Sequence, residues 1–382
     1  MEQKSYIPQL TGVRAMAAFM VYLHNIPMTG VAVPAWLQSL FTELHIGVTI
    51  FFVLSGFLIY WNYYDVAKLT RAWWSRYTNN RVARLYPLYF IVTCITLVVQ
   101  VDIDSVSWFL NLTFVKGFSN FWKFGGVAQG WSLTPEWTFY VMAPLLFTAI
   151  RRYGFLIPLA MVYLLGGILM LIGYLVNYMQ FFEGAAFMTG YTFFGRAFEF
   201  FAGMYLARYL ARPGSEAPRS NGSWMTWISL GMMAMSVYVM TLYRTEGYYY
   251  GVDHPVGRAL NNLVLPMVIA YLFLGLIREK SLVRNILGSR LVSFLGKASY
   301  AFYLIHMGVI QTFISQHTPG QGLTHYFLVF LGVNLVAVGL YFLFELPLNK
   351  WMRRRLMSST EKAQDRIAPP DLTARPQSTP AA

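Results

Sequence analysis

"GVRAMAAFMVYLHN", residues 12–25, sets an arginine (Arg14) and a histidine (His24) inside an apolar run that extends over residues 7–28. A helix of about 20 apolar residues, rising about 1.5 Å per residue, crosses a hydrocarbon core of about 30 Å. An ionisable side chain inside such a helix costs about 2.5–3.5 kcal/mol on insertion scales, which makes each one a candidate functional group. Nine further apolar runs follow, near 46–64, 85–101, 136–150, 154–175, 193–211, 224–243, 258–277, 294–316 and 325–346. The pattern predicts an all-α, polytopic membrane protein with about ten transmembrane helices.

Composition agrees: 57% of the 382 residues are hydrophobic and only 12% are charged, against about 25% charged in an ordinary soluble domain. The net charge of +13 would suit nucleic acid, but its distribution argues against that partner. All but six of the 29 basic residues fall in segments that share one side of the bilayer if both termini are cytoplasmic. The exceptions are Arg14, Lys116, Lys123, Arg196, Arg244 and Arg258. This is the positive-inside bias of a multi-pass membrane protein, whose expected location is a bacterial inner membrane. The single cysteine, Cys94, excludes an internal disulfide and a cysteine-rich metal site. Arg14 interrupts the first apolar run and no small-residue cleavage site follows, so the first span is expected to stay uncleaved.

The expected organisation is one transmembrane domain over residues 1–350 and a disordered cytoplasmic tail over 351–382, which is polar and proline-rich. Between the third and fourth runs, residues 102–135 form an aromatic outer segment long enough to cover a site.

Ten residues at 100° each leave His24 about 80° short of three full turns from Arg14, and about 15 Å further along the helix. The two side chains therefore address different groups, or different parts of one long substrate; alternatively, Arg14 snorkels to the inner surface and His24 rests in the interface. In "GVTIFFVLSGFLIYW" (47–61), Ser55 and Gly56 allow close helix approach. In "NNRVARLYPLYF" (79–90), Arg81 and Arg84 share a helical face, where two guanidiniums can grip phosphate or simply mark the cytoplasmic edge. "GWSLTPEWTFY" (130–140) reads as a helix start with Thr134 as cap, Pro135 in the first position and Glu136 in the first turn, level with His24. Arg196 and Glu199 are spaced as an intramembrane ion pair. His306 falls within the ninth run, and Glu345 near the inner end of the last reads as structural.

Taken together, Arg14 to His24, "GVTIFFVLSGFLI" (47–59), "RVARLYPLYF" (81–90), "WSLTPEWTFY" (131–140), "GRAFEFFAGM" (195–204), "LGKASYAFYLIH" (295–306) and "FELP" (344–347) resemble the acyltransferase-3 family of membrane O-acyltransferases. The ordered set covers about residues 5–350. The resemblance implies transfer of an acyl group, usually acetyl, from cytoplasmic acyl-coenzyme A as co-substrate, with no bound cofactor or metal. The acceptor would be a hydroxyl of a glycan, such as a cell-surface polysaccharide or lipid-linked sugar. By the same resemblance His24 is the catalytic histidine, Arg14 its partnered arginine, and Arg81 with Arg84 the basic pair that holds coenzyme A; Glu136 joins the catalytic set by orienting His24 or the acceptor. The family commonly has ten residues between the arginine and the histidine, and this chain has nine. Either the helix bulges or the two residues act on different faces. No esterase-like domain follows the membrane domain, so it is expected to act alone.

Two other classes fit parts of the pattern. A secondary transporter or flippase for a glycan or small metabolite would line its path with Arg14, His24, Arg196, Glu199 and His306. A haem protein would need histidines facing each other at one depth, which the spacing of His24 and His306 does not suggest.

Overall fold

A computed structural model describes residues 6–26, 31, 33–212 and 221–356; Lys4, Arg219 and residues 357–382 of the expected tail lie outside the described residues. Within them all regular structure is helical, and extended backbone pairs only at the bridges Ser119–Phe181 and Thr245–Tyr248. The main helices are α1 (Pro8–Asn25), α2 (Gly47–Tyr63), α3 (Arg71–Val99), α4 (Leu133–Tyr153), α5 (Leu156–Val176), α6 (Phe193–Leu210), α7 (Trp224–Leu242), α8 (Leu265–Arg278), α9 (Ser299–Ile305) and α10 (Gly322–Leu340). The final helix, Leu346–Leu356, continues six residues past position 350 and packs against α3.

Six continuous helical stretches are long and apolar enough to cross a membrane: Ala35–Tyr63, Arg71–Val99, Leu156–Val176, Trp224–Leu242, Pro255–Arg278 and Gly322–Arg353. The other apolar runs fall on α1, α4, α6 and the helices around α9. These carry the polar side chains, and many of those side chains are turned into the protein. Arg196, Glu199, Ser132, Thr134 and His306 are all buried. In contrast, α5 exposes Leu156, Leu164, Leu171 and Leu175, the apolar surface expected of a helix facing lipid.

Helix α1 runs through the bundle, packed on α2, on α9 and on the helix Arg290–Lys297. The closest crossing joins α2 and α6. A Cβ on Gly56 would lie 2.0 Å from the Phe200 carbonyl oxygen, and one on Gly203 would lie 1.9 Å from that of Val53. The two backbones therefore touch, the close approach that small residues permit between membrane helices.

The ninth run differs from the continuous span its hydropathy predicts. Helix α9 stops at Ile305, the chain turns through His306 to Gly308, where φ is +85°, and a separate helix occupies Val309–Gln316. The break is stabilised from outside the run. Gln129 Nε2 donates to the carbonyls of Leu304 and Met307, which the ended helix leaves without amide partners.

Gln129 reaches that position because residues 105–132 fold back into the bundle. A capped helix, Ser105–Leu112, is followed by the turns Val115–Phe118 and Ala128–Ser132, the last of which runs directly into α4. Thr134 therefore does not cap α4. Ser132 precedes the helix, which begins at Leu133, and the Thr134 hydroxyl donates instead to the Phe114 carbonyl. At the centre of this segment Lys116 is fully buried, its Nζ donating to the carbonyls of Gly125 (2.7 Å) and Val127 (2.6 Å). Burial pulls this lysine down to about 7.

Two outcomes test this packing. Gly203→Leu should place a side chain where backbone already sits, costing more than the about 1–3 kcal/mol typical of overpacking, and should abolish a monodisperse peak in detergent size-exclusion chromatography. Lys116 carries its burial cost in full below about pH 7. From there to the ordinary lysine range the unfolded chain keeps a proton that the folded chain has shed, so stability rises with pH. The melting temperature of the wild type should climb between about pH 7 and 10, and Lys116→Met should flatten that slope.

Candidate active site

Helix α1 is one continuous α-helix, with no bulge recorded between Arg14 and His24. The two residues therefore stand about 15 Å apart along its axis and belong to two separate polar centres.

The first centre surrounds Arg14. Its Nε donates to the Ser299 hydroxyl at 3.3 Å, and Arg84, Glu345, Glu136 and Tyr140 lie within electrostatic range. Glu136 Oε1 accepts from the Ser55 hydroxyl at 2.6 Å and from the Tyr140 hydroxyl. Arg81 is buried, donates to the Tyr63 hydroxyl at 2.8 Å, and lies over the rings of Tyr63 and Tyr140. Arg84 makes no side-chain hydrogen bond among the described residues, and its charge falls on Arg14, Tyr140 and Tyr300. Arg14, Arg81 and Arg84 thus converge around Tyr140, from two helices.

This centre takes in residues that the sequence reading assigned elsewhere. Glu136 was expected level with His24, yet its hydrogen bonds are to Ser55 and Tyr140 and its charge reaches Arg14. The cause is the inward turn at Ala128–Ser132, which buries the first turn of α4. Ser55, expected to serve packing, binds a carboxylate 81 positions away in the chain. Glu345, expected to be structural, lies in a π-helical turn, Tyr341–Glu345, within range of both Arg14 and Tyr300. Such turns widen a helix and often occur at functional sites.

The second centre lies at the opposite end of α1. The Nδ1 of His24 is 2.7 Å from the Thr42 carbonyl oxygen. That contact places a proton on Nδ1 and leaves the Nε2 lone pair open. The His24 ring stands 5.5 Å from that of His45 and 5.2 Å from that of Tyr250. His45 Nε2 donates to Glu43 at 3.0 Å. His306 is also nearby, but both its nitrogens are engaged, Nδ1 with the Tyr303 carbonyl (2.6 Å) and Nε2 with Asn25 (3.3 Å). Glu43 and His45 were absent from the sequence reading. The signal available was "TELH" (42–45), two ionisable residues directly before an apolar run.

Arg196 and Glu199 form the expected ion pair, with contacts of 2.7 and 3.1 Å, and Arg196 also donates to Thr49 at 3.0 Å and lies over the Phe52 ring. The pair is satisfied within itself and its neighbours, which marks it as structural. Among the described residues no group of three His, Cys, Asp or Glu side chains gathers so as to hold a metal ion.

Comparison with known proteins places the chain in a family. The family model described as an acyltransferase domain matches residues 7–343, and the chain belongs to that acyltransferase-3 family. It is 27% identical over 169 residues to the acyltransferase MdmB of Streptomyces mycarofaciens, covering 38% of this chain and 40% of that protein. It is 24% identical over 380 residues to a Staphylococcus aureus (strain COL) protein named "Putative O-acetyltransferase", covering 90% of this chain and 58% of that one. The chain thus spans about half the length of these curated relatives. No solved structure matches it.

If the Arg196–Glu199 pair is structural, Arg196→Leu should cost about 3–5 kcal/mol by leaving a buried carboxylate unpaired. The double change Arg196→Leu with Glu199→Leu should recover most of that loss in a detergent thermal melt.

Proposed function

We propose that this protein is a membrane O-acyltransferase that moves an acyl group, acetyl in the first place, from cytoplasmic acyl-coenzyme A to a hydroxyl of a glycan such as a cell-surface polysaccharide or lipid-linked sugar. One observation supports the reading above the others: three guanidiniums gather at one end of α1, and an imidazole with an open nitrogen stands at the other. The family supplies the acyl chemistry, and the relatives named O-acetyltransferases favour an oxygen acceptor and an acetyl group.

In this reading the chain crosses a bacterial inner membrane ten times with both ends in the cytoplasm, and residues 1–350 are its working domain. The end of α1 near Arg14 then faces the cytoplasm, in keeping with the basic residues of "RAWWSRYTNNRVAR" (71–84) at the start of α3. Arg84, Arg81 and Arg14 neutralise the phosphates of coenzyme A, with planar forks suited to phosphate oxygens. Glu136, tied to Ser55 and Tyr140, holds these cations apart and so positions the donor. The thioester arm extends along α1 toward His24.

There the His24 Nε2 accepts the proton of the acceptor hydroxyl while its Nδ1–H remains on the Thr42 carbonyl. The acceptor oxygen attacks the thioester carbonyl carbon, the C–S bond breaks, and coenzyme A leaves as a thiolate that takes a proton from water. His24 then returns its proton to solvent. A thioester is already activated, so holding the reactants together with one proton transfer accounts for the chemistry.

Purified protein incubated in detergent with radiolabelled acetyl-coenzyme A and glycan acceptors should release free thiol and label an acceptor. His24→Ala should lower that transfer by about 10²–10⁴-fold. Full transfer by His24→Ala would overturn the scheme, and movement of a glycan across proteoliposomes without coenzyme A would favour a transporter.

A further inference from the structure

Transfer of one acyl group requires removal of one proton, and in the proposed reading His24 removes it. The same centre nevertheless holds a second imidazole prepared in the same way. His45 gives its Nε2 proton to Glu43 at 3.0 Å, so its Nδ1 carries a lone pair. Glu43 is completely buried, and its other oxygen accepts the Gly251 amide at 2.8 Å. One carboxylate therefore fixes the tautomer of His45 and ties down the loop that carries Tyr250.

The two rings present opposite tautomers edge to face, 5.5 Å apart, with Tyr250 beside both. Neither His24 Nε2 nor His45 Nδ1 has a hydrogen-bond partner among the described residues, whereas His306 has both nitrogens engaged. His45 is 18% exposed at its side chain while Glu43 is sealed, so an incoming ligand meets the imidazole and not the carboxylate. Two open acceptors side by side fit two neighbouring hydroxyl donors. An ether or a deoxy position would leave the second one unmatched.

We infer that Glu43 and His45 form a specificity element of the acceptor site. His45 Nδ1 accepts a hydrogen bond from a hydroxyl adjacent to the one that His24 deprotonates, so the acceptor is a vicinal diol, with Tyr250 against its carbon face. This rests on the acyltransferase reading above. His45 takes no part in bond making; it positions the substrate, and Glu43 positions His45.

The test uses the full-length protein in detergent, radiolabelled acetyl-coenzyme A, and two probe families: methyl pyranosides with all hydroxyls free, and their mono-deoxy forms. Wild type should acylate a free pyranoside at least about 10²-fold faster than the form lacking the adjacent hydroxyl, as sites built around a substrate hydroxyl do. In His45→Leu that ratio should collapse toward one, because the free sugar slows and the deoxy sugar does not. A merely structural role would slow both sugars alike and leave the ratio intact. Glu43→Gln, which keeps an oxygen for the Gly251 amide, should give an intermediate ratio and serves if His45→Leu does not fold. Equal wild-type rates on both sugars, a ratio unchanged by these variants, or coenzyme A release with cell extract but with no pyranoside would each overturn the diol assignment. Failure of the wild type to release coenzyme A with any acceptor, extract included, would instead overturn the acyltransferase reading and this inference with it.

Discussion

Arg14 is a guanidinium in the middle of a helix that the rest of the bundle surrounds, and the arrangement around it follows from what that charge requires. It is only partly accessible to water, so neighbouring helices supply much of its surroundings. α9 brings the Ser299 hydroxyl to its Nε, while Glu136 and Tyr140 of α4 and Glu345, in the turn that follows α10, lie within electrostatic range. Each of these groups has its own demand. Glu136 is met by Ser55 from α2 and by Tyr140. A single expensive residue thereby fixes the relative placement of helices that are distant in sequence.

The same logic shapes the segment between α3 and α4. Its carbonyls fold around the Lys116 ammonium, and in doing so they deliver Gln129 to the broken end of α9 and Ser132 to the Tyr303 hydroxyl (2.7 Å). Helix α9 can stop inside the bundle because its last carbonyls receive donors from this segment. His306 sits at that stop, held by Asn25 from α1. The position of α9 beside α1 is thus set by partners that the segment and α1 supply.

Much of this was legible in the sequence, and the parts that were not share a cause. Hydropathy located the helices, because an apolar run of span length has few other uses. The i, i+3 spacing of Arg196 and Glu199 announced their pairing, and Gly56 announced a close crossing, since both are local features. The break after Ile305 was invisible because the hydropathy continues through it and the groups that stabilise it come from residue 129. The partners of Glu136 were hidden for the same reason: Ser55 lies 81 positions away, and the turn before α4 carries no distinctive pattern. Glu43 and His45 escaped because they lie just outside an apolar run, where charged residues are ordinary. Nothing in their spacing indicates that an imidazole from α1 will stand beside them.

Between the two polar centres, the faces of α1 that carry Ala15, Ala17, Ala18 and Val21 are buried among apolar neighbours. On α1 itself, residues 15–21 carry no hydroxyl, acid or base. In the proposed reading, a proton taken up at His24 finds no acceptor among these side chains on the way to the arginine end, and leaves on the side where the acceptor enters. In that reading α1 gives the acyl group an apolar wall to pass, one that offers a proton no place to stop.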